Sequence, residues 1–400
     1  MVINETKVAV LGKDGVTGKS VLEVLQRLPE FVLVDVEDAE YIVVSPGIPP
    51  RDFPQVQGEI ISEIEFAYRL FHRSGSSYVP QLIAVTGTNG KSTVTSLLAH
   101  ILDCPYSGNI GVPLVNFVDD PKAPPVIVVE LSSFQLKYCS TFCPELALVL
   151  NVTPDHLDWH LSMEDYSLSK SHIFRQQTNA HQLLYYGGCA NTVQLVKDAK
   201  SHKIVVLDED VPSIKEMMGS LEGHHNGINV CFALKVAAYM GCDQKKVVDK
   251  ISTFQPLAHR LEKVATVNQV SFYNDSKATN PDATIKSIDV FDRPIHLILC
   301  GEDKQLELVS FVKDVQKVVK TVTVFGGISE KLMTLSRDIN AEFPIFRAER
   351  IEDALALVVQ KSVPYDIVLF SPSSSSYDQF KGFVHRGECF KDWVYAYEGR

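Results

Sequence analysis

The fold of this chain is decided by residues 84–93, which read AVTGTNGKST. An apolar run ends there, a glycine-rich turn follows, and small residues compatible with a helix begin after Lys91. At such a turn, consecutive backbone N–H groups at the start of a helix can hold phosphate oxygens. The lysine contacts the outer phosphates, and the hydroxyl of Ser92 suits Mg2+. The stretch therefore predicts a strand, a phosphate-binding turn and a helix, which together begin an α/β nucleotide-binding domain.

A carboxylate that suits the metal ion follows on another apolar run. Residues 126–133 read VIVVELSS and place Glu130 where apolar residues give way to polar ones. An acidic residue at the end of a neighbouring strand suits a magnesium ion beside a phosphate-binding turn. The usual glycine five residues before Gly90 is replaced by Val85. We therefore expect a shortened form of the common loop.

A second glycine-rich stretch, residues 12–20, reads GKDGVTGKS and also ends in Gly-Lys-Ser. Its three glycines follow an apolar run and open a helical pattern, and Asp35 lies twenty residues beyond Gly15. Turns of this kind bind the diphosphate of a dinucleotide or a nucleotide sugar, with the acid near a ribose or a base. The same glycines also suit a tight structural turn. Both interpretations stay open, and we expect the central turn to hold the nucleotide that is cleaved.

Four ionisable residues are concentrated in residues 151–160, which read NVTPDHLDWH and follow an apolar run. Enzymes of the α/β class hold their reactive groups just past such strand ends. Histidine and aspartate are zinc ligands, so a zinc site is one interpretation. Beside a phosphate-binding turn, a magnesium site that shares one histidine is favoured, and a structural cluster is the third possibility. The four residues are Asp155, His156, Asp158 and His160.

Composition and charge exclude several classes of protein. The 400 residues are 45% hydrophobic and 22% charged, as in ordinary globular proteins. A formal net charge of -11 argues against nucleic-acid binding, which needs a basic face. The eight cysteines include no Cys-x-x-Cys pair, so we expect free thiols. The first residues lack a signal-peptide pattern and no apolar run is long enough to cross a bilayer, so we expect a cytoplasmic protein without membrane contact.

Short apolar runs alternate with helical patterns along the chain, as in proteins built on parallel sheets. Breaks at residues 73–81 (RSGSSYVPQ) and 252–260 (STFQPLAHR) divide it into three predicted α/β domains, 1–79, 80–255 and 256–400. Helices are predicted at Val16–Gln26, Ser92–Leu102 and Cys231–Met240. Strands are predicted at Val8–Leu11, Phe31–Val34, Tyr41–Val44, Leu82–Val85, Val126–Val129, Leu146–Leu150, Ile204–Leu207, Val270–Tyr273, Ile295–Leu299, Val322–Phe325 and Ile367–Phe370.

Seven segments of the chain together point to one family. They are TGTNGKST (86–93), ELSSFQL (130–136), NVTPDHLDWH (151–160), YSLSK (166–170), HRLE (259–262), NDSKATN (274–280) and SPSSSSYDQFKGF (371–383). In this order and spacing the segments resemble those of the Mur ligases. The resemblance is continuous from about residue 80 to residue 398 and thinner over residues 1–79.

The resemblance is greatest to the member that joins D-glutamate to UDP-N-acetylmuramoyl-L-alanine. It implies an ATP-dependent amide ligase of peptidoglycan precursor synthesis, in which ATP phosphorylates the alanyl carboxylate and the amine of D-glutamate then attacks the acyl phosphate. The implied fold is α/β with three domains: a small Rossmann-like N-terminal domain for the UDP-substrate, a central P-loop mononucleotide-binding ATPase domain with a parallel sheet, and a Rossmann-like C-terminal domain that binds the amino acid and clamps the nucleotide. The partners are then small molecules, and the chain is a monomer.

The resemblance also implies roles for residues of the central domain. The implied catalytic residues are Lys91, Asn109, His156 and Lys170. The implied metal ligands are Ser92 and Glu130 for one magnesium ion, and His156 and Lys170 for another. The implied ATP contacts are Gly87, Thr88, Asn89, Gly90, Lys91, Ser92, Thr93 and, at the adenine, Asn226. In the family Lys170 corresponds to a carbamylated lysine, and a carbamate converts a cation into an anionic oxygen ligand for a hard metal.

Further roles are implied outside the central domain. The implied nucleotide contacts of the third domain are Arg260 at the phosphates and Asp275 at the ribose. The implied D-glutamate contacts are Lys277, Thr279, Lys304, Ser376 and Phe383. The expected contacts to the uracil end of the substrate are Thr17, Asp35 and residues 45–48. A dicarboxylate needs at least two donors, and a lysine serves as a point charge for each carboxylate.

The sequence departs from the family pattern in two places. The first domain is shorter than usual, and Tyr377 stands where many relatives have an aliphatic residue, after four consecutive serines. The alternative function is another Mur-type or folylpolyglutamate-synthase-type amino-acid ligase. A GTPase would carry an Asn/Thr-Lys-x-Asp motif, which the sequence lacks, and a kinase would not need the third domain. A non-catalytic nucleotide-binding scaffold would not need an intact set of catalytic residues.

Overall fold

The structure is a computed structural model that describes residues 5–76, 78–120, 122–211, 214, 218, 221, 223–303 and 308–399. The chain forms two compact units. The first contains the described residues of 1–219 and 226–254, and the second contains those of 220–225 and 255–400. Two sheets belong to the first unit and one sheet belongs to the second.

The first sheet is built by the N-terminal residues and has four parallel strands in the order β2-β1-β3-β4. Its central strand is buried at Val8, Ala9 and Val10, as expected for a parallel sheet that is covered on both faces. The elements are β1 (Thr6–Leu11), α1 (Val16–Leu25), β2 (Phe31–Leu33), β3 (Tyr41–Val44), β4 (Glu59–Ser62) and α2 (Glu63–Phe71).

The second sheet has six parallel strands in the order β10-β9-β8-β5-β7-β6. Because β5 lies between β8 and β7, the turn after β5 stands at the centre of the carboxyl edge, where α/β proteins bind ligands. The elements are β5 (Gln81–Thr86), α3 (Lys91–Leu102), β6 (Tyr106–Gly108), β7 (Val126–Glu130), α4 (Ser133–Lys137), β8 (Leu146–Val149), α5 (Leu157–His160), α6 (Met163–Ser171), β9 (Gln182–Tyr186), α7 (Ala190–Leu195), β10 (His202–Val206), α8 (His224–Tyr239) and α9 (Gln244–Thr253).

The third sheet, in the second unit, has the order β11-β12-β16-β13-β14-β15 and is parallel except for the β11–β12 hairpin. Positive φ angles at Asn268 (50°) and Gln269 (63°) form the tight hairpin turn. The elements are β11 (Glu262–Val267), β12 (Val270–Asn274), α10 (Pro281–Ile288), β13 (Ile295–Cys300), α11 (Val309–Val315), β14 (Val319–Phe325), α12 (Ser329–Asp338), β15 (Ile345–Arg347), α13 (Ile351–Lys361), β16 (Ile367–Ser373) and α14 (Phe383–Glu398).

The predicted fold class is confirmed, and every predicted strand is present with ends shifted by at most three residues. The described residues also form β4, β6, β9, β11 and β15, which the sequence analysis does not predict. Two of these, β6 and β15, have only three residues, and β11 is half-exposed along its length, so these three carry only a weak sequence signal. None of the helices in the described parts of the chain has the length and apolar character that a membrane crossing needs.

Two buried acids at the start of α2 join the first sheet to the second. Glu65 is fully buried, and its carboxylate accepts hydrogen bonds from three consecutive backbone N–H groups, those of residues 140–142, at 2.9–3.2 Å. It also accepts from the Thr141 hydroxyl at 2.6 Å and from Nε of Arg69 at 2.8 Å. Glu63, two residues earlier on the same helix, accepts a hydrogen bond from the N–H of Val115 at 2.6 Å. We call Glu63 and Glu65 the acid pair of α2.

Replacing Glu65 should destabilise the first unit. In Glu65→Gln the side chain loses its charge and turns an amide donor toward N–H groups that are already donors, so buried groups are left unpaired. We expect a loss of about 3 kcal/mol in the free energy of unfolding, measured by urea denaturation. The matched control is Glu59→Gln, because Glu59 also pairs with Arg69 but is exposed; its loss should stay below about 1 kcal/mol. Equal small losses in both variants would contradict the role of Glu65.

Candidate active site

The turn after β5 adopts the conformation that its glycines allow. Gly90 has φ 86° and caps the N-terminus of α3, and Gly87 has φ 157°. The Nζ of Lys91 donates to the carbonyl oxygens of Gly87 and Thr88, both at 2.8 Å. Ser92 and Thr93 lie buried in the first turn of α3. The arrangement places a cation and a helix N-terminus at one point, which suits phosphate.

The turn is held in shape by the segment that follows β8. Asn151 accepts from the N–H of Asn89 at 2.8 Å and donates its amide to the Asn89 carbonyl at 3.0 Å. The N–H of Thr88 donates to the Asn151 carbonyl at 2.8 Å, and the Thr88 hydroxyl contacts both Thr153 and Tyr166. The sequence analysis assigns no role to Asn151. Its position in the segment NVTPDHLDWH could have indicated a role in the site, but only the fold shows that Asn151 pairs with the turn.

A buried carboxylate stands beside the turn with one oxygen available. Glu130 ends β7 in register with Val85 of β5 and is 1% exposed. Its Oε1 accepts from the amide of Asn109 at 2.7 Å, and its backbone carbonyl accepts from the Asn109 N–H at 2.9 Å. Its Oε2 is buried and has no hydrogen-bond partner among the described residues. A buried carboxylate oxygen without a hydrogen-bond partner, on the strand next to a phosphate-binding turn, fits a magnesium ligand.

Lys170 reaches the same turn from α6. It is 1% exposed, its Nζ donates to the carbonyl of Gly87 at 2.9 Å, and it lies 4.5 Å from the centre of the Tyr166 ring. The Nζ atoms of Lys91 and Lys170 therefore converge on one carbonyl oxygen. Burial, and next the charge of Lys91, hold the pKa of Lys170 well below its ordinary value. Both effects shift the protonation equilibrium of this side chain toward the neutral amine.

The four polar residues of 151–160 separate into different environments. The backbone of His156 is left-handed with φ 54°, its ring is partly exposed, and Nε2 lies 3.6 Å from the buried carboxylate of Asp155. His160 is buried, with Nδ1 3.2 Å from Asp165 and Nε2 2.8 Å from the Ser133 hydroxyl. Burial lowers the pKa of His160 to about 4, so its ring is neutral and structural. The side chain of Asp158 lies outside the described part of the chain.

The described side chains of residues 151–160 form no zinc cluster. Across the described residues, no three His, Cys, Asp or Glu side chains come together in a way that could hold a metal ion. The magnesium site that the sequence favours needs fewer protein ligands, because phosphate oxygens and water complete its shell. His156 is the histidine of the segment whose ring is accessible, and its role as a ligand stays a prediction.

Asn226, predicted at the adenine, lies at the start of α8 next to a residue that the sequence analysis does not name. The amide of Asn229 donates to Oδ1 of Asn226 at 3.1 Å. A Cβ on Gly90 would lie 2.6 Å from Oδ1 of Asn229, so the turn and α8 approach each other as closely as glycine permits. Asn229 could have been found from its spacing of three residues from Asn226, because residues three apart share a helix face.

The first glycine turn is tightly packed. Gly12 has φ 84°, and its carbonyl accepts from the hydroxyl of Ser45 at 3.2 Å. A Cβ on Gly18 would lie 2.3 Å from that carbonyl oxygen, so only glycine lets α1 begin so close to the turn. Thr17 is half-buried in the first turn of α1, and Asp35 is exposed just after β2. Packing alone accounts for two of the glycines, and the substrate contacts of Thr17 and Asp35 stay predictions.

The predicted residues of the second unit gather near the ends of β12 and β16. Asp275 is buried, and its carboxylate accepts from the hydroxyls of Ser287 at 2.6 Å and Ser371 at 2.8 Å. Burial raises its pKa to about 6. It also accepts from the N–H of Leu261 at 3.1 Å, so it fixes the segment that carries the half-buried Arg260. The carboxylate of Asp275 therefore uses most of its hydrogen-bond acceptor sites within the second unit.

The predicted amino-acid contacts are partly brought together. Nζ of Lys277 lies 3.9 Å from the centre of the Phe383 ring, a cation–π contact. Thr279 is half-buried shortly after Lys277, and Ser376 is buried in the segment after β16. Tyr377, where the sequence departs from the family pattern, is 71% exposed. Lys304 lies outside the described residues.

Removing the charge of Glu130 should weaken the response to Mg2+. Glu130→Gln preserves the size of the side chain and an acceptor for Asn109. We expect the Mg2+ concentration for half-maximal nucleotide-dependent phosphate release to rise at least about tenfold, because an anionic ligand is lost. The control is Glu164→Gln, on the exposed first turn of α6. A Glu130→Gln enzyme with an unchanged Mg2+ requirement would contradict the role.

Comparison with known proteins agrees with this geometry. The family model described as "Mur ligase middle domain" matches residues 85–250, and "Mur ligase, glutamate ligase domain" matches residues 259–374. The UDP-N-acetylmuramoylalanine--D-glutamate ligase of Koribacter versatilis is 35% identical over 89% of this chain and 83% of its own length. The enzyme of that name from Caldanaerobacter subterraneus subsp. tengcongensis is 34% identical over 96% of this chain and 91% of its own.

Solved structures share the fold at lower identity. The MurF ligase of Thermotoga maritima in complex with ADP has a TM-score of 0.64 at 15% identity and covers 99% of each chain. The folylpolyglutamate synthase of Mycobacterium tuberculosis has a TM-score of 0.59 at 14% identity, covering 84% of this chain and 95% of its own. Motifs, fold and relatives agree, and the chain belongs to the Mur ligases.

Proposed function

We propose that this chain is an ATP-dependent ligase that joins D-glutamate to UDP-N-acetylmuramoyl-L-alanine and releases ADP and phosphate. The observation that carries the proposal is the convergence of Lys91 and Lys170 on the Gly87 carbonyl, beside the half-paired carboxylate of Glu130. The relatives at 34–35% identity carry this activity in their names, which supports these two substrates.

Charge is the chemical problem that this arrangement addresses. The alanyl carboxylate and the triphosphate of ATP repel each other, and the repulsion must be offset before an acyl phosphate can form. Lys91 and the N–H groups at the start of α3 offer fixed positive charge and dipoles toward the phosphates. Mg2+, when bound, neutralises phosphate charge and polarises the transferred phosphoryl group. Ser92 and Glu130 would hold one ion, and His156 and Lys170 a second.

We propose that Lys170 acts as a carbamate. Its environment favours the neutral amine, which is the form that attacks CO2. The nitrogen forms a bond to the carbon, one carbon–oxygen π bond breaks, and a proton leaves to solvent. The product is an anionic oxygen ligand of the kind that hard cations bind. It would also place a negative charge beside Lys91, where two lysine side chains now share one acceptor.

The remaining assignments follow the resemblance. We propose that Asn226, Arg260 and Asp275 contact ATP, and that Asn109 lies near the transferred phosphoryl group. The N-terminal domain, residues 1–79, binds the UDP-substrate, and residues 256–400 bind the amino acid and the nucleotide. The chain then acts as a cytoplasmic monomer on small molecules. The proposed D-glutamate contacts are Lys277, Thr279, Lys304, Ser376 and Phe383.

The assignment is tested by phosphate release from ATP with purified protein. Release should require both UDP-N-acetylmuramoyl-L-alanine and D-glutamate, and the product should gain the mass of one glutamyl residue. L-glutamate, meso-diaminopimelate and tetrahydrofolate with L-glutamate are the comparison reactions. Release that ignores D-glutamate, or that needs another amino acid, would overturn the assignment in favour of another ligase of the fold.

The carbamate makes a separate prediction for Lys170→Ala. This variant should lose most of its activity, because the second metal loses an anionic ligand, and added acetate or formate should restore part of it. The control is Lys91→Ala, which should also lose activity but should not respond to carboxylates, since a cation is missing there. Full activity in Lys170→Ala, or equal rescue of both variants, would contradict the carbamate.

A further inference from the structure

A fully buried guanidinium in the second unit has no ion-pair partner among the residues that the structure describes. Arg386 lies in the first turn of α14 and is 0% exposed. No carboxylate of the described residues lies within ion-pair distance of it, although other cations of the unit, such as Lys320 and Lys391, are paired. A buried charge is normally paired, because removal from water carries a penalty of several kcal/mol. The position therefore needs a physical explanation.

The donors of Arg386 are directed to main-chain and hydroxyl oxygens of two loops. Nη2 donates to the carbonyl of Ser276 at 2.8 Å, and Nε donates to its hydroxyl at 3.1 Å. Nη1 donates to the carbonyl of Ser374 at 3.0 Å and lies 3.8 Å from Sγ of Cys300. These neutral groups satisfy hydrogen bonds but do not cancel the charge. Burial raises the pKa of the Cys300 thiol to about 12, so this sulfur is protonated.

The nearest acids act on Arg386 only through space. Asp378 and Asp275 both favour its charged form, but Asp378 accepts from the N–H of Gly327 at 3.0 Å and Asp275 from serine hydroxyls. Burial lowers the pKa of Arg386, yet arginine stays protonated in proteins. The second unit therefore holds a positive charge that no carboxylate of the described residues contacts directly.

The three segments that Arg386 contacts each carry or adjoin predicted amino-acid contacts. Ser276 precedes Lys277, Ser374 lies two residues before Ser376, and Cys300 ends the strand before Lys304. The hydroxyl of Ser276 donates in turn to the carbonyl of Phe383 at 2.8 Å. One planar side chain thus fixes the backbone of two of these segments, with donors whose directions are set by the guanidinium fork.

The start of α14 is itself fixed in place. A Cβ on Gly387 would lie 2.2 Å from Nδ1 of His259, so this position accepts only glycine without a shift. The amide of Asn274 donates to the Gly387 carbonyl at 3.2 Å. The residue after Arg386 is therefore held against the loop that precedes β11, and the guanidinium cannot move outward without disturbing that contact.

We propose that Arg386 is a positioning residue of the amino-acid pocket: it fixes the loops that carry Lys277 and Ser376, and its charge adds to the positive potential that the two carboxylates of the bound amino acid meet. The ligand class is an acidic amino acid or another short dicarboxylate. The inference rests on the proposed function, since the pocket is the one assigned there to D-glutamate.

The test is steady-state kinetics of Arg386→Met and Arg386→Lys in the complete enzyme. Met removes the charge and all donors, so we expect KM for D-glutamate to rise at least about thirtyfold, while KM for ATP stays within about twofold. Lys retains the charge without the fork, so its KM for D-glutamate should lie between that of wild type and that of Met. The control is Arg347→Met, at an exposed arginine of the same unit, which should leave both KM values unchanged.

Two results would overturn the inference: an unchanged KM for D-glutamate in Arg386→Met, or an equal rise in KM for ATP and D-glutamate. If the variants do not fold, hydrogen exchange of the wild-type chain tests the proposal instead. D-glutamate should slow exchange at residues 276–277 and 374–376, and no slowing there would reject the proposal. Wild-type enzyme that does not consume D-glutamate would reject the proposed function instead, whatever the Arg386 variants do.

Discussion

Two lysine ammonium groups on one carbonyl oxygen are the constraint on which the rest of the first unit depends. Lys91 and Lys170 both donate to Gly87, and like charges so close are unfavourable unless one is neutral or an anion lies between them. Burial of Lys170 favours the neutral form, and Glu130 adds a carboxylate that is only half paired. The charges at the turn are thus not fully paired within the protein, and bound phosphate and cations would pair with them.

The rest of the unit holds these groups at fixed positions. Strand β5 lies at the centre of a parallel sheet, so the ends of β7 and β8 flank the turn, and Glu130 and Asn151 reach it from either side. Reciprocal hydrogen bonds between Asn151 and Asn89 fix the backbone of the turn without adding charge. The neutral amides fix the backbone of the turn, and the charged groups determine the electrostatic potential around it. In the second unit, by contrast, charged side chains fix the geometry: Asp275 accepts from serine hydroxyls and Arg386 donates to loop carbonyls.

Much of this could be predicted from the sequence, for identifiable reasons. Short apolar runs bounded by polar residues placed the buried strands, and local spacing placed Lys91 and Ser92 at the start of a helix and Glu130 at the end of a strand. Pairings between distant residues left no local signal: Asn229 against Gly90, Asn151 against Asn89, and Arg386 against Ser276 follow only from the fold. The sequence left open whether the histidines of residues 151–160 are reactive or structural, and the contacts of His160 with Asp165 and Ser133 show a structural role for that one.

The acid pair of α2 has a consequence for how this chain can be divided or recombined. A cut within residues 73–81 would leave Glu63 and Glu65 in water on one fragment, and on the other it would leave unmet the N–H groups of Val115 and of residues 140–142. The two sheets of the first unit are therefore inseparable as folding modules. A chimera that borrows its amino-terminal lobe from another protein must also carry two acids, spaced two residues apart, at the start of its last helix.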